Sequence, residues 1–321
     1  MSSMKSLRPS IFLAVILAAL FAYLYFVELP GKEKKEKAEA ASSRLFTFSE
    51  SDIVEIIIEG ASGRTRLQQL SGNPDTPWRI SEPIETIADE GVAGMFASLL
   101  SNLKSTRKID ATPADFASFG LSPPAHSIRV ILTGSDSDLL EIGDLGMSGQ
   151  TFYAKVGNNV YLIGNDLTPY FTKGLTDWRR QEVFHFFSSD VQSFEIEGPQ
   201  GTSTLTKASE KWIIKTPSES ADSAKVLEFL GRLSSLRAES FIDENKTQQV
   251  KALGAPFSRL KITIGSGGSV SHEGTFYTTK DEPESVYVVT QPSAPLYKIS
   301  LKSFEEIIPD VTYFKSQDEK K

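Results

Sequence analysis

The residue types that most often perform chemistry in proteins are few in this chain, and they stand apart from one another. There is no cysteine, so disulfides, thiolate nucleophiles and cysteine-ligated zinc are excluded. The three histidines, His126, His185 and His272, have no further metal ligand at a suitable spacing. This pattern favours isolated histidines at the surface or at strand ends.

Three other motifs resemble functional sites only in part. Residues 265–269 read Gly-Ser-Gly-Gly-Ser, but no Gly-Lys-Ser/Thr follows, which favours a hairpin turn over a phosphate-binding loop. Asp136 and Asp138 lack the additional oxygen ligands of a calcium loop, and no serine lies in a Gly-x-Ser-x-Gly elbow. The sequence therefore predicts no catalytic residue, no metal site and no cofactor, and it leans against an enzyme.

The candidate contact site is Trp178-Arg179-Arg180. An arginine pair beside a tryptophan is suited to binding a carboxylate and to stacking on the ring, either within the protein or on an acidic partner. We predict that Arg179 or Arg180 makes a charge-assisted contact across the junction of two modules. If both arginines project into solvent, they become candidates for contact with an external partner.

The composition places limits on size and partners. The chain has 321 residues, of which 40% are hydrophobic and 23% charged, which is enough for two modules with their own cores. The net charge is -7, and the part after Arg44 is more acidic because the first 44 residues carry an excess of basic side chains. An acidic surface excludes the basic stripe that nucleic-acid binding requires.

The N-terminal region predicts a membrane anchor. Residues 11–27 form an apolar run without a charge, and aromatic residues gather at its C-terminal end. The alternative is a cleaved signal peptide, because residues 38–40 read Ala-Glu-Ala. Four lysines follow the run and only two basic residues precede it, so the charge count opposes export. We nevertheless expect a short cytoplasmic N-terminus and the bulk of the chain in the periplasm.

The remainder of the chain repeats one pattern twice. Trp78, Ile80 and Pro83 form a Trp-x-Ile-x-x-Pro motif that recurs about 135 residues later, starting at Trp212. Strands with period-two alternation precede both motifs, and amphipathic helices that Asp89 and Asp222 can cap follow them. Hairpins close each copy. We therefore predict an α+β fold: a tandem duplication of a mixed, mainly antiparallel sheet module with one longer and two short helices per copy.

These features together give a predicted domain organisation. It consists of a cytoplasmic N-terminus (1–10), a transmembrane anchor (11–29), a charged tether (30–44), a first α+β module (45–182), a second module (183–315) and a disordered tail (316–321).

Several motifs resemble the bacterial family known as domain of unknown function 4340. Besides the tryptophan strand, they are Leu-Ser-Asn-Leu at 100–103, Phe-Gly-Leu-x-Pro at 119–123, Glu-Ile-Gly at 141–143 and Val-Tyr at 160–161. The second copy departs from this pattern: it has no Glu-Ile-Gly strand end and no terminal arginine. The resemblance implies a membrane-anchored protein, often encoded beside a gliding-type ABC transporter and its auxiliary subunit, and it provides no active-site motif.

The functional expectation is a non-enzymatic, single-pass accessory or scaffold subunit of an envelope ABC-transporter assembly in the bacterial inner membrane. Its partners would be the membrane, through the N-terminal helix, and a transporter or auxiliary membrane protein. The alternative is an envelope hydrolase or a glycan-binding enzyme. A catalytic role predicts polar residues crowded in one deep pocket, whereas a binding role predicts apolar or charged surface patches.

Overall fold

The computed structural model describes residues 43–70, 78–134, 137–198, 201–209, 211–216, 218–265, 270–291, 294–308 and 311–316. The predicted N-terminus, anchor and most of the tether lie outside these residues, as do Pro217 and residues 317–321. The chain divides into two compact units between Arg179 and Arg180, close to the predicted boundary at 182/183. We call the described residues up to Arg179 the first module and those from Arg180 the second module.

The first module is built on a nine-stranded sheet in which every pairing is antiparallel. The strands lie side by side in the order β4-β3-β2-β1-β6-β7-β8-β9-β5. In chain order they are β1 (Ile53–Gly60), β2 (Gly63–Gln69), β3 (Trp78–Glu82), β4 (Thr86–Ile87), β5 (Ser105–Ile109), β6 (His126–Leu132), β7 (Ser137–Leu145), β8 (Thr151–Val156) and β9 (Asn159–Gly164).

The second module contains a sheet of the same size and the same strand order, β13-β12-β11-β10-β15-β16-β17-β18-β14. Its strands are β10 (Val191–Gly198), β11 (Gly201–Ala208), β12 (Lys211–Ile214), β13 (Glu219–Ser220), β14 (Ser240–Ile242), β15 (Ser258–Ile264), β16 (Val270–Thr278), β17 (Ser285–Val289) and β18 (Leu296–Ser300). The predicted α+β fold with a duplicated sheet module is therefore confirmed.

The duplication extends to details of register. The first hairpin of each module closes with a glycine pair, Gly60 opposite Gly63 and Gly198 opposite Gly201. An irregularity interrupts the pairing at the start of β1, between Ile53 and Glu55, and the same irregularity recurs at the start of β10. Bulges re-aim a strand and are retained as structural features, so their repetition indicates one ancestral module.

Each module has one long helix, and an aspartate caps both. Helix α1 (Glu90–Ser101) begins where the Asp89 carboxylate accepts a hydrogen bond from Val92 N, at 3.0 Å. The Asp222 carboxylate accepts one from Ala224 N, also at 3.0 Å, in α4 (Ser223–Ser234). These bonds satisfy amide groups that the first turn of a helix leaves unpaired, which confirms the predicted caps. The remaining α-helices among the described residues are α2 (Thr168–Phe171), α3 (Leu175–Trp178), α5 (Lys246–Leu253) and α6 (Leu301–Ile307).

The long helix of each module packs on one face of its sheet and encloses a separate hydrophobic core. Trp78 and Trp212 are buried in equivalent positions of these two cores. The carbonyl oxygen of Trp78 accepts a hydrogen bond from Ala88 N at 3.3 Å, and that of Trp212 accepts one from Ala221 N at 3.0 Å. The prediction that the two tryptophans occupy equivalent buried sites is confirmed.

Two motifs of the family resemblance pack against each other in the first module. A short 3₁₀ helix (Pro113–Phe119) ends at Gly120, which has a φ of 66°. Gly143, in β7, lies so close to this turn that an added Cβ would stand 2.1 Å from the carbonyl oxygen of Phe119. A side chain at position 143 would therefore force the 3₁₀ helix and β7 apart.

Candidate functional site

Trp178 belongs to the interior of the first module. It ends α3, its side chain is fully buried, and its ring lies 5.3 Å from that of Phe96 in α1. Its carbonyl oxygen accepts a hydrogen bond from Asp89 N at 2.8 Å. The first turn of α1 is therefore held by a residue almost ninety positions further along the chain, and the indole is a core group.

Arg179 is also part of the first module. Its side chain is 3% exposed, and Nη2 donates a hydrogen bond to Thr86 Oγ1 in β4 at 3.3 Å. Its backbone forms an isolated bridge with Ala88. Arg180 is the first residue of the second module and is partly buried. The predicted charge-assisted contact across the module junction stays a prediction.

The second module ends with an equivalent pair that the sequence comparison missed. Phe314 is fully buried, and its carbonyl oxygen accepts a hydrogen bond from Asp222 N at 2.8 Å. Lys315 forms a backbone bridge with Ala221, and its Nζ lies 2.9 Å from Glu219 Oε2 in β13. An aromatic residue followed by a cation thus closes both modules, although neither residue is identical between the copies.

The histidines are packed against aromatic rings. His126 begins β6, stacks on Phe171 with ring centroids 4.4 Å apart, and touches Gly60. Burial lowers the pKa of His126. The pKa of His272 in β16 is lowered by burial and, to a smaller degree, by the charge of His185, so these two histidines are not isolated from each other. Neither arrangement brings a nucleophile or a carboxylate into hydrogen-bonding contact with an imidazole among the described residues.

We expect the free energy of unfolding to fall as the pH decreases from about 7.5 to about 5.5. The unfolded chain takes up a proton on His126 and on His272 near pH about 6.5, whereas the folded chain does so only at a lower pH. Their contribution is therefore fully present above that pH and is lost as the pH falls through the lowered pKa values. Urea unfolding midpoints across this range measure the effect.

The control for this experiment is the double variant His126→Gln, His272→Gln, in which the slope of stability against pH should be smaller. Equal midpoints for the unmodified chain at both ends of the range would contradict the expectation, as would an unchanged slope in the double variant.

The other motifs are distributed along hairpins. The Gly-Ser-rich segment connects β15 to β16 in the sequence, and Ile264 and Val270 form the last pair between these two strands. Residues 266–269 of the segment lie outside the described residues. Asp138 is in β7, and Asp136 is likewise not described. Over the described ranges, no group of three or more His, Cys, Asp or Glu residues is placed to hold a metal ion. None of the described helices is long and apolar enough to cross a membrane.

The outer faces of the two long helices differ. Between Gly91 and Ser101, α1 carries no charged residue, and Met95 protrudes into solvent with 66% of its surface exposed. At the equivalent position, α4 has Glu228, which pairs with Arg232 one turn later. The two helices therefore bury similar faces but present different surfaces.

A second difference lies in the hairpin loops that follow β7 and β16, which are equivalent strands of the two modules. Leu145 at the end of β7 and Met147 in the loop between β7 and β8 are exposed, the latter completely. In the second module, the loop between β16 and β17 exposes Lys280, Asp281 and Glu282 instead. Apolar groups thus stand on the first module where charged groups stand on the second.

Together, these features define a tandem α+β protein whose two modules share one fold and differ in their exposed surfaces. The chain belongs to the family described as Domain of unknown function (DUF4340), whose model matches residues 78–256. The match begins at the first residue of β3 and ends shortly after α5, so it includes parts of both modules. Comparisons with curated proteins and with solved structures found no match.

Proposed function

We propose that this protein is a membrane-anchored accessory or scaffold subunit of an envelope ABC-transporter assembly, and that it acts through protein–protein contacts. The observation that carries the proposal is the divergence between the modules: Met95, Leu145 and Met147 protrude from the first where the second presents charged groups. Methionine is enriched at protein interfaces because its flexible thioether adapts to the surface it meets. Phe187 and Leu227 also protrude, from the second module, so the modules differ in the positions of their exposed apolar groups and not in the presence of such groups.

The membrane part of the proposal is supported by the sequence. The charge-free run of residues 11–27 is long enough to cross the hydrocarbon core of a bilayer as a helix. The two modules, which carry the excess of acidic residues after Arg44, would then lie on the periplasmic side. The charged segment 30–44 would tether them to the membrane helix.

The transporter part is supported by family membership. Members of the DUF4340 family resemble one another in being membrane-anchored and are often encoded beside a gliding-type ABC transporter and its auxiliary subunit. The residues that match the family model include α1, the end of β7 and the β7–β8 loop, which carry the protruding apolar groups. A partner contact at these groups would place the first module against the transporter or its auxiliary subunit.

Co-purification of the full chain from detergent-solubilised bacterial membranes tests the proposal. We expect the ATPase and membrane subunits of an ABC transporter to be recovered with the tagged protein. Met95→Lys should reduce that recovery tenfold or more, because burying an unpaired ammonium costs more than the roughly 1.4 kcal/mol that a tenfold change represents. Leu227→Lys, at an exposed site on α4, is the matched control and should have little effect.

Two results would contradict the proposal. One is recovery of no transporter subunit above the level of an untagged strain. The other is hydrolysis of envelope glycans by the purified chain without any partner, which would favour the enzymatic alternative.

We expect alkaline phosphatase fused to the C-terminus to be active, and a fluorescent protein that folds only in the cytoplasm to be dark at the same position. The physical reason is that ten residues before the apolar run are easily retained in the cytoplasm, so the modules are exported. Activity assays and whole-cell fluorescence measure the orientation. The reverse pattern would overturn the topology. Loss of the N-terminal segment from the mature protein, detected by mass spectrometry, would show cleavage.

A further inference from the structure

A cleft lies on the solvent-facing side of the first sheet, opposite α1. It has a volume of about 250 Å³ and is lined by Ile57, Glu59, Arg64, Ser127 and Arg129. Ile57 alternates with Ile56 and Ile58, which face the core, so its side chain lies on the outer side of β1. It is nevertheless only 6% exposed, because long charged side chains of the neighbouring strands surround it. The cleft therefore combines an apolar floor with charged walls.

The arginines around this floor differ in their partners. Arg64 forms ion pairs with Glu59 at 3.2 Å and with Glu82 at 2.9 Å. Arg66 likewise lies within 3.4 Å of a carboxylate on each of two neighbouring strands. Arg129, which is directly opposite Ile57 in β6, is exposed and has no hydrogen bond or ion pair within the described part of the chain. One guanidinium at this cleft is therefore available to a ligand.

The second module provides an internal comparison, because the same positions of its sheet are neutralised. Glu195 replaces Ile57, and it accepts a hydrogen bond from Thr204 at 3.2 Å. Lys261, the equivalent of Arg129, lies 3.4 Å from Glu273. The neighbouring Arg259 pairs with Glu197 at 2.9 Å. The apolar floor and the unpaired cation are thus features of the first module only.

We propose that this cleft binds a single side-chain carboxylate from an acidic segment of the partner protein, an inference that rests on the proposed function for the source of the ligand. The guanidinium of Arg129 is a planar fork that binds a carboxylate with two parallel hydrogen bonds. Ile57 would contact the methylene groups that carry this carboxylate. The carboxylate of Glu59, in the same cleft, repels a ligand that carries two negative charges. The cleft therefore prefers a monoanion to a phosphate dianion.

Isoleucine-methyl NMR on the full chain in detergent micelles tests the cleft directly. The Ile57 signal is assigned by its loss in Ile57→Val, and the probe is N-acetylglutamate amide, which carries one carboxylate. We expect a saturable shift with half-saturation at about 10 to 100 mM, the range of one charge-assisted contact to a guanidinium. The shift should be abolished in Arg129→Gln and retained in Lys261→Gln, the matched change in the second module.

Four results would overturn the assignment, the first three of which concern the Ile57 shift and its dependence on charge. These three are no shift of Ile57 with the probe, an equal shift with the neutral N-acetylglutamine amide, and an equal affinity in Arg129→Gln. Inorganic phosphate binding as well as the carboxylate would also overturn it, because the cleft would then be a general anion site.

The co-purification experiment separates this inference from the proposed function. Arg129→Gln should lower the recovery of the transporter several-fold. If the transporter is recovered with the unmodified chain and equally with Arg129→Gln, the cleft is not the partner's site. If the methyl shift is present but no transporter is recovered from the unmodified chain, the carboxylate site stands and the proposed function fails.

Discussion

Replacing Gly143 with alanine is expected to lower the free energy of unfolding of the first module by about 2 to 4 kcal/mol. The added Cβ would lie 2.1 Å from the carbonyl oxygen of Phe119 and 3.0 Å from the backbone of Gly120. Both neighbours are backbone atoms, so no side-chain rotation relieves the clash. The 3₁₀ helix and β7 must therefore separate, which disrupts the packing between the Phe-Gly-Leu and Glu-Ile-Gly segments.

Urea or thermal unfolding followed by circular dichroism measures this effect. Gly94→Ala is the matched control: an added Cβ at this position in α1 meets nothing within 4 Å. Because alanine favours a helix over glycine, this variant should gain about 0.5 to 1 kcal/mol. A Gly143→Ala variant as stable as the unmodified chain would show that the two backbone segments are free to move apart.

Replacing Trp178 with alanine is expected to cost the first module about 3 to 5 kcal/mol. The ring is fully buried against Phe96 and Tyr170, so its removal leaves a large cavity in the centre of the core. Trp178→Phe should cost much less, because phenylalanine occupies the equivalent position, 314, in the second module. The indole Nε1 has no hydrogen-bond partner among the described residues, so the change to phenylalanine removes no hydrogen bond.

Chemical denaturation with two probes distinguishes the modules. Far-ultraviolet circular dichroism follows the whole chain, while a version retaining only Trp212 reports the second core by fluorescence. In Trp178→Ala, the transition of the first module should move to lower urea and the Trp212 transition should remain. Phe314→Ala should produce the opposite pattern. A Trp178→Ala variant in which neither probe shifts would contradict the assignment of this residue to the core.

The sequence predicts the fold well where a residue pattern has one buried face. The alternation in β1 and the aspartate caps of α1 and α4 are local signals, and each matches the structure. No residue pattern in the sequence predicts β4, β5, β13 or β14. Strand β5 reads Ser-Thr-Arg-Lys-Ile and has no fully buried residue, because it is an edge strand. Charged edge strands have no periodic signal to detect, although their charges discourage pairing with other chains.

The candidate sites depend on tertiary contacts that the sequence does not contain. Trp178 and Arg179 stood out by residue type, but only the structure shows that they hold the start of α1 and contact β4. The pair Phe314-Lys315 shares no identical residue with Trp178-Arg179, and only the order of an aromatic residue followed by a cation relates the two pairs in the sequence. The sequence does not show that Arg129 lacks a partner, because the residues that could pair with it lie on neighbouring strands.

The position of Trp178 has a consequence for biogenesis. The chain that forms α1 is synthesised early, but the carbonyl group that fixes its first turn belongs to the last residues of the module. Strand β5 similarly pairs with β9, which is synthesised more than fifty residues later. Because such non-local contacts form late and slowly, the first module completes its fold only after the ribosome has released its final turn. A nascent chain halted before α3 would expose an unfinished core to chaperones and proteases.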